Sequence, residues 1–173
     1  EKPEARMLPI GGDDFCVGAW DGKQAVDEDY VVNEDGSVPN AMVWVHKGPH
    51  EDFTYSAPTD RNFTVNQINC YYVPHVFGVM VGEKFTVANG DETLHNVHAK
   101  PKRNAEANKA QNAGAKDDFT FDKKESKISF VCDVHSWMSA WAFAFDHPFF
   151  AVTDGSGKFE IAGLPPGEYT VRT

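Results

Sequence analysis

The sequence is poor in basic residues, in cysteine and in long apolar runs. Lysine and arginine number 16 against 26 aspartates and glutamates, a formal net charge of −10. Phosphate-backbone binding needs a basic face, so nucleic acid is not an expected partner. The acidic balance fits instead a partner that carries positive charge. No segment reaches the ~18–20 consecutive apolar residues of a bilayer-spanning helix; the strongest, Met138 to Phe145, stops at Asp146 and His147. No membrane span is therefore expected in the chain. Residue 1 is Glu, not Met, so the chain reads as processed or trimmed, with room for a removed signal peptide or lipid anchor upstream. There is no repeat with a period of about 20–50 residues and no heptad pattern.

The three cysteines are Cys16, Cys70 and Cys132. An odd count suggests one pair and one thiol with its own task. Cys132 sits among metal-ligating residue types, which leaves Cys16 and Cys70 as either a disulfide or two buried reduced cysteines. A disulfide would place the protein outside the cytosol.

What is present suffices for a packed core. The 173 residues are 41% apolar and include 13 Phe, 5 Tyr and 4 Trp. Disorder is excluded on that composition, and the length suits one domain, with or without an embellishment. The first thirty residues are polar and irregular and read as a surface segment. Short strand-like runs follow at 41–45, 65–72, 76–81, 85–87, 119–121, 127–132, 141–145 and 149–153, with turn signals such as Asp35-Gly36 and Asp154-Gly155-Ser156-Gly157 between them. Residues 101–118 carry no apolar stripe and read as a loop with one short helical turn near 105–110. Lys158 to Ile161 alternates polar and apolar, and Leu164-Pro165-Pro166-Gly167 turns into Tyr169-Thr170-Val171. Regular short strands argue for an all-β sandwich.

The decisive segment is Cys132-Asp133-Val134-His135-Ser136-Trp137-Met138. A strand ending in a tight loop can gather its thiolate, imidazole and thioether around one point. His95, just after another strand, is the candidate for a second imidazole. One Cys, two His and a weak Met define a blue-copper electron-transfer site.

On these residues the chain resembles the cupredoxins, the small blue copper proteins. The C-x-x-H-x-x-M spacing and the run His95-Asn96-Val97-His98 are most similar to those of the amicyanins. The resemblance covers roughly residues 65–146. It implies His95, Cys132 and His135 as equatorial ligands, Met138 as the axial ligand, one copper per chain, and a Greek-key β-sandwich with the metal at one end. It implies that Asn96 ties the two ligand loops together, and that the loop histidine exposes its ring edge where electrons would leave; Trp137 and Trp141 are candidates to line that contact patch, with plain core packing as the alternative for Trp141. The tail, His147-Pro148 through Leu164-Pro165-Pro166-Gly167-Glu168-Tyr169, resembles a transthyretin-like or carboxypeptidase-regulatory-like β-module. The expected organisation is an N-terminal extension with β-strands over 1–64 that pairs with the C-terminal segment, a copper core over 65–146, and the hairpin of the β-module over 147–173.

The remaining histidines read as structural. His98 lies three residues beyond His95, and strand alternation turns it to the opposite face. His75 reads as a satisfied structural residue, with a second metal role as the alternative; His46, His50 and His147 read as surface or capping residues. A dinuclear purple site would need a second cysteine in the ligand loop and is excluded. Zinc suits Cys-His-His chemically, but the Met and the strand–loop context favour copper. The run from Asp13-Asp14 to Asp27-Glu28-Asp29 reads as a solvated acidic face, with steering of a basic redox partner as the functional alternative. Asn62-Phe63-Thr64 fits a glycosylation sequon and carries little weight.

The expectation is thus a non-enzymatic, exported electron carrier, periplasmic in a bacterial setting, cycling Cu(II)/Cu(I) with a redox protein such as a cytochrome c or a periplasmic oxidoreductase. The alternative is a copper carrier or copper-binding β-module without an electron-transfer role.

Overall fold

A computed structural model describes every residue except Glu1, Lys2, Gly22 and Gln24. Its elements in chain order are α1 (Asp14–Ala19), β1 (Met42–Lys47), a 3-10 turn (Pro49–Asp52), β2 (Thr64–Ile68), β3 (Tyr71–Val73), β4 (Val76–Met80), β5 (Phe85–Asn89), β6 (His95–Lys100), β7 (Ala107–Gln111), β8 (Lys116–Phe119), β9 (Glu125–Val131), β10 (Ser139–Phe145), β11 (Phe150–Val152) and β12 (Thr170–Arg172). The fold is all-β apart from the two short helical turns, as the regular strand spacing required.

Two sheets form a sandwich. One has the order β4-β10-β9-β6-β7, the other β3-β2-β5-β8. The chain crosses between them after β3, β4, β5, β7 and β8, so sequence neighbours face one another across the core. The apolar residues of alternating strands point into that space: Val65 and Tyr72, Val87 and Phe119 from one sheet, Val97, Ile128, Phe130, Ala140 and Ala142 from the other. Phe130 sits at the centre, with the rings of Phe77, Phe119, Phe85 and Phe121 at 5.4, 6.3, 6.4 and 6.4 Å. Fully burying each such side chain contributes roughly 1.5–3 kcal/mol.

A third sheet, β11-β1-β12, lies outside the sandwich. Its Met42, Trp44, Phe150 and Val152 pack with Val76, Trp141, Phe143 and Phe145 on the outer face of β4 and β10. Strand β4 is therefore covered on both faces, and all five of its residues are buried. Gly78 makes the close approach feasible: a Cβ there would lie 2.5 Å from the Phe150 ring.

The structure departs from the sequence reading in four places. The stretch 101–118 contains the strand pair β7 and β8, not a loop with a helical turn. Strand β7 has no apolar stripe because it is an outer strand of its sheet, paired with β6 alone, and its one fully buried side chain is Gln111. Gln111 is satisfied inside by Gln67 and by the carbonyl of Val87. Residues Lys158–Ile161 form no strand, and Phe159 is exposed. His50 and His147 are buried rather than on the surface, in a ring cluster where His147 stacks on Phe149 and His50 meets both edge-on; His147 Nδ1 accepts the Phe149 N–H at 3.2 Å. The N-terminal segment is not wholly superficial, because α1 is pinned through the buried Cys16 to Cys70 by a disulfide.

Candidate metal centre

The centre forms at one end of the sandwich, where β6 begins and β9 turns into β10. His95 is the first residue of β6. Cys132 follows β9 and Met138 precedes β10, so the whole loop is the connection of a hairpin whose register pairs Val131 with Ser139. The loop closes on itself: Cys132 N–H donates to the Met138 carbonyl at 3.1 Å and Met138 N–H to the His135 carbonyl at 3.0 Å. Pairing of β6 with β9, His98 opposite Val131, brings His95 alongside. The Asn96 side chain then accepts the Asp133 N–H at 2.9 Å and joins the two ligand segments. The Tyr72 hydroxyl donates to the carbonyls of Asn96 and Val131 beneath them.

The donor atoms converge. His95 Nδ1 and His135 Nδ1 are 3.0 Å apart, Cys132 Sγ is 3.8 Å from His135 Nδ1, and the three donors all lie within 4.8 Å of one another. His95, Cys132 and His135 are 0%, 2% and 2% exposed. Met138, also 2% exposed, is buried in the same loop.

The outward nitrogens have carboxylate partners. His95 Nε2 lies 2.9 Å from Asp91 Oδ2, and His135 Nε2 lies 3.4 Å from Asp13 Oδ2. Burial alone would push the His95 imidazole down, but hydrogen bonds to Asp91 and Cys132 and their charges raise it to about 9. Burial and the neighbouring His95 charge push His135 down, against the pull of Asp13. Burial would push the Cys132 thiol up; the hydrogen bond from His95 and the N–H groups of His135, Asn96 and Val134 outweigh it and bring it below its usual range.

This donor set fits copper. A thiolate favoured by its surroundings and two imidazole nitrogens turned toward one another suit a borderline-soft ion, and buried polar atoms aimed at a common point call for a shared partner. Two other clusters contain a histidine, a cysteine and an aspartate, Asp13-Cys16-His135 and Cys70-Asp91-His95. Their sulfurs are bonded to each other, so neither offers a thiolate.

Two histidines outside the donor cluster, His75 and His98, are held by hydrogen bonds of their own. His75 meets the Ser139 carbonyl through Nδ1 at 3.0 Å and Asp29 through Nε2 at 2.8 Å, which satisfies both nitrogens. His98 is held between Asp133 and Glu106 and stays out of the donor cluster. Two expectations need correction. His135 does not expose its ring edge, because α1 and Asp13 cover it. The Asp13–Asp29 run is not simply a solvated face, since Asp13 reaches His135 and Asp29 receives both His75 and the Trp141 indole N–H. Sequence reasoning missed Asp13 and Asp91. Asp91 carried a signal, its place four residues before His95; Asp13 carried only that of a helix N-cap.

No family model matches the chain, and no curated protein matches it. Among solved structures it is similar to a copper-containing nitrite reductase from Thermus scotoductus SA-01, at 16% identity and a TM-score of 0.48, over 60% of this chain and 28% of that one. The match thus spans little more than a quarter of the reductase. A purple cupredoxin from Nitrosopumilus maritimus is similar at 17% identity and a TM-score of 0.42, over 48% of this chain and 99% of that one. An oxidised proline-to-glycine mutant of amicyanin is similar at 18% identity and a TM-score of 0.44, over 59% of this chain and 97% of that one.

Proposed function

We propose that this chain is an electron-transfer protein with one type 1 copper, held by His95, Cys132 and His135 with Met138 as the axial group. The observation that carries the reading is the buried convergence of Cys132 Sγ with the Nδ1 atoms of His95 and His135. Bound there, copper would supply reversible one-electron chemistry between Cu(II) and Cu(I). The residues' part is to keep that change cheap. The β9–β10 hairpin loop and the Asn96 tie hold the donors in one arrangement, and the low exposure of all four side chains excludes water. The hydrogen bonds around Cys132 lower its thiol and so favour the thiolate. Nothing in this reading asks for bond chemistry on a substrate.

The net charge of −10 supports a basic redox partner, such as a cytochrome c or a periplasmic oxidoreductase. The Cys16–Cys70 disulfide supports an exported location. We read residues 65–146 as the copper core, 1–64 as its N-terminal extension and 147–173 as a C-terminal segment of a transthyretin-like module, in which β11 and β12 flank β1 instead of pairing with each other as the expected hairpin. The pairing of β1 with β11 and β12 supports grouping the two flanks.

A visible spectrum of protein given one equivalent of Cu(II), before and after ascorbate, tests the reading. An intense thiolate-to-copper band that bleaches on reduction and returns on oxidation is expected. Absence of the band removes Cys132 as a copper ligand and the electron-transfer role with it. The alternative, a copper carrier, needs ready release of the ion, and burial of all the donors opposes that.

A further inference from the structure

We infer that Asp13 and Asp91 are positioning residues of the metal centre, clamping the outward nitrogens of His135 and His95, and that the Cys16–Cys70 disulfide is the brace that holds both carboxylates there. The inference rests on the copper reading above and adds to it what fixes the two imidazoles from outside.

Asp91 is 3% exposed. Its Oδ1 accepts the Asn69 N–H at 2.7 Å, and its Oδ2 accepts the Cys70 N–H at 2.8 Å and faces His95 Nε2. A buried carboxylate is costly unless its lone pairs are occupied. Here two backbone amides of the β2–β3 turn occupy them and aim the remaining capacity at the imidazole. Asp13 is the counterpart on the other side. Its Oδ1 caps α1 by accepting the Cys16 N–H at 2.9 Å; its Oδ2 accepts from the Thr93 hydroxyl at 2.7 Å and faces His135 Nε2. Thr93 lies two residues before His95, so the same carboxylate touches both ligand segments.

The disulfide links the two arrangements. Cys16 donates to one carboxylate and Cys70 to the other, and their sulfurs are joined. Cys16 Sγ is also 3.8 Å from His135 Nε2, in contact with the ligand ring. At its far end, α1 is docked by the Trp20 indole N–H on the Asn69 carbonyl at 2.6 Å and by the Trp20–Tyr71 ring contact. The N-terminal segment is therefore part of the centre, not an appendage to it. Carboxylates on the outer nitrogen of ligating histidines fix ring orientation and strengthen the donor nitrogen. Two of them also add negative charge beside the metal, which favours the more positive Cu(II) state.

The test compares wild type with Asp13→Asn and Asp91→Asn, which keep side-chain shape. In the metal-free proteins, NMR should show two slowly exchanging imidazole Nε2–H protons in wild type, each variant losing the one it faces. After copper loading, each variant should bind Cu(II) ~10–100-fold more weakly, with a smaller change for Cu(I), so that the balance shifts toward Cu(I). Unchanged imidazole protons together with an unchanged Cu(II)/Cu(I) balance would overturn the clamp. A wild-type protein without the thiolate band would sink the copper reading by itself, and the imidazole protons would still decide the clamp. The Cys16→Ser/Cys70→Ser double variant should lose the His135 Nε2–H signal as Asp13→Asn does; a folded double variant that keeps it would overturn the brace. Should that variant not fold, reducing the disulfide in folded wild type under the same NMR readout decides the point.

Discussion

The side chain of Asn96 accepts the backbone N–H of Asp133 at 2.9 Å, so the residue beside His95 holds the residue beside Cys132. Neither ligand segment can move without stretching this bond. Replacing Asn96 with Ala leaves the Asp133 N–H without its partner, at a cost of about 1–3 kcal/mol. The expected outcome is a lower unfolding midpoint in denaturant and weaker copper binding, with the hairpin otherwise intact. An unchanged midpoint would show that the tie contributes nothing.

The metal-free centre should respond to pH through His95. Its folded value of about 9 lies above the ordinary 6.5, so the bonds of its charged form stabilise the fold fully below about 6.5. That contribution fades as pH rises through about 9. Thermal unfolding of the metal-free protein should therefore weaken across this window, and copper affinity should rise across it as the competing proton leaves. A flat metal-free profile from pH 6.5 to 9 would contradict the assignment.

Acid should weaken the fold in part through Glu125. This buried carboxylate accepts N–H groups from Lys102, from Arg103 at 2.9 Å and from Asn104 at 3.2 Å, and it also accepts the Asn104 side-chain amide at 3.0 Å. Burial would raise its pKa, and these donors outweigh burial and lower it. A lowered carboxylate contributes stability above its unfolded value and loses it as pH falls through the folded one. Glu125→Gln should lower stability at pH 7 by roughly 1–3 kcal/mol, and the gap from wild type should narrow as the pH is lowered to 3. Urea melts at the two pH values decide it.

Gly78 and Phe150 should be coupled. A Cβ at Gly78 would meet two Phe150 ring atoms at 2.5 and 2.6 Å, so Gly78→Ala should cost roughly 1–3 kcal/mol through overpacking. In a Phe150→Ala background the added methyl should cost little. A double-mutant cycle that came out additive would mean the third sheet does not press on β4 at this point.

Much of this molecule was legible in the sequence because the informative residues sit close together. Cys132, His135 and Met138 lie within one loop, and a loop motif survives without knowledge of the tertiary fold. Short apolar runs separated by turn signals, such as those at 65–72, 76–81 and 127–132, gave away the sandwich strands for the same local reason. The failures are tertiary. Strand β7 was invisible because an outer strand that buries glutamine has no apolar period. His50 and His147 read as surface residues because only the fold packs them against Phe149. Asp13 and Asp91 gained their partners only when Cys16 met Cys70, across a separation of 54 residues. The unexposed ring of His135 follows from that same closure.

The placement of β1 between β11 and β12 has a consequence for biosynthesis. On the ribosome β1 emerges long before either neighbour, while every strand of the sandwich is complete once β10 has appeared. During translation β1 must wait with both edges unpaired, and such edges invite pairing between chains. A nascent chain stalled after β10 would hold the ligand loop and the sandwich yet remain prone to aggregate through β1. Strands β11 and β12 thus act as a closing seal on a sandwich whose donor loop is assembled earlier.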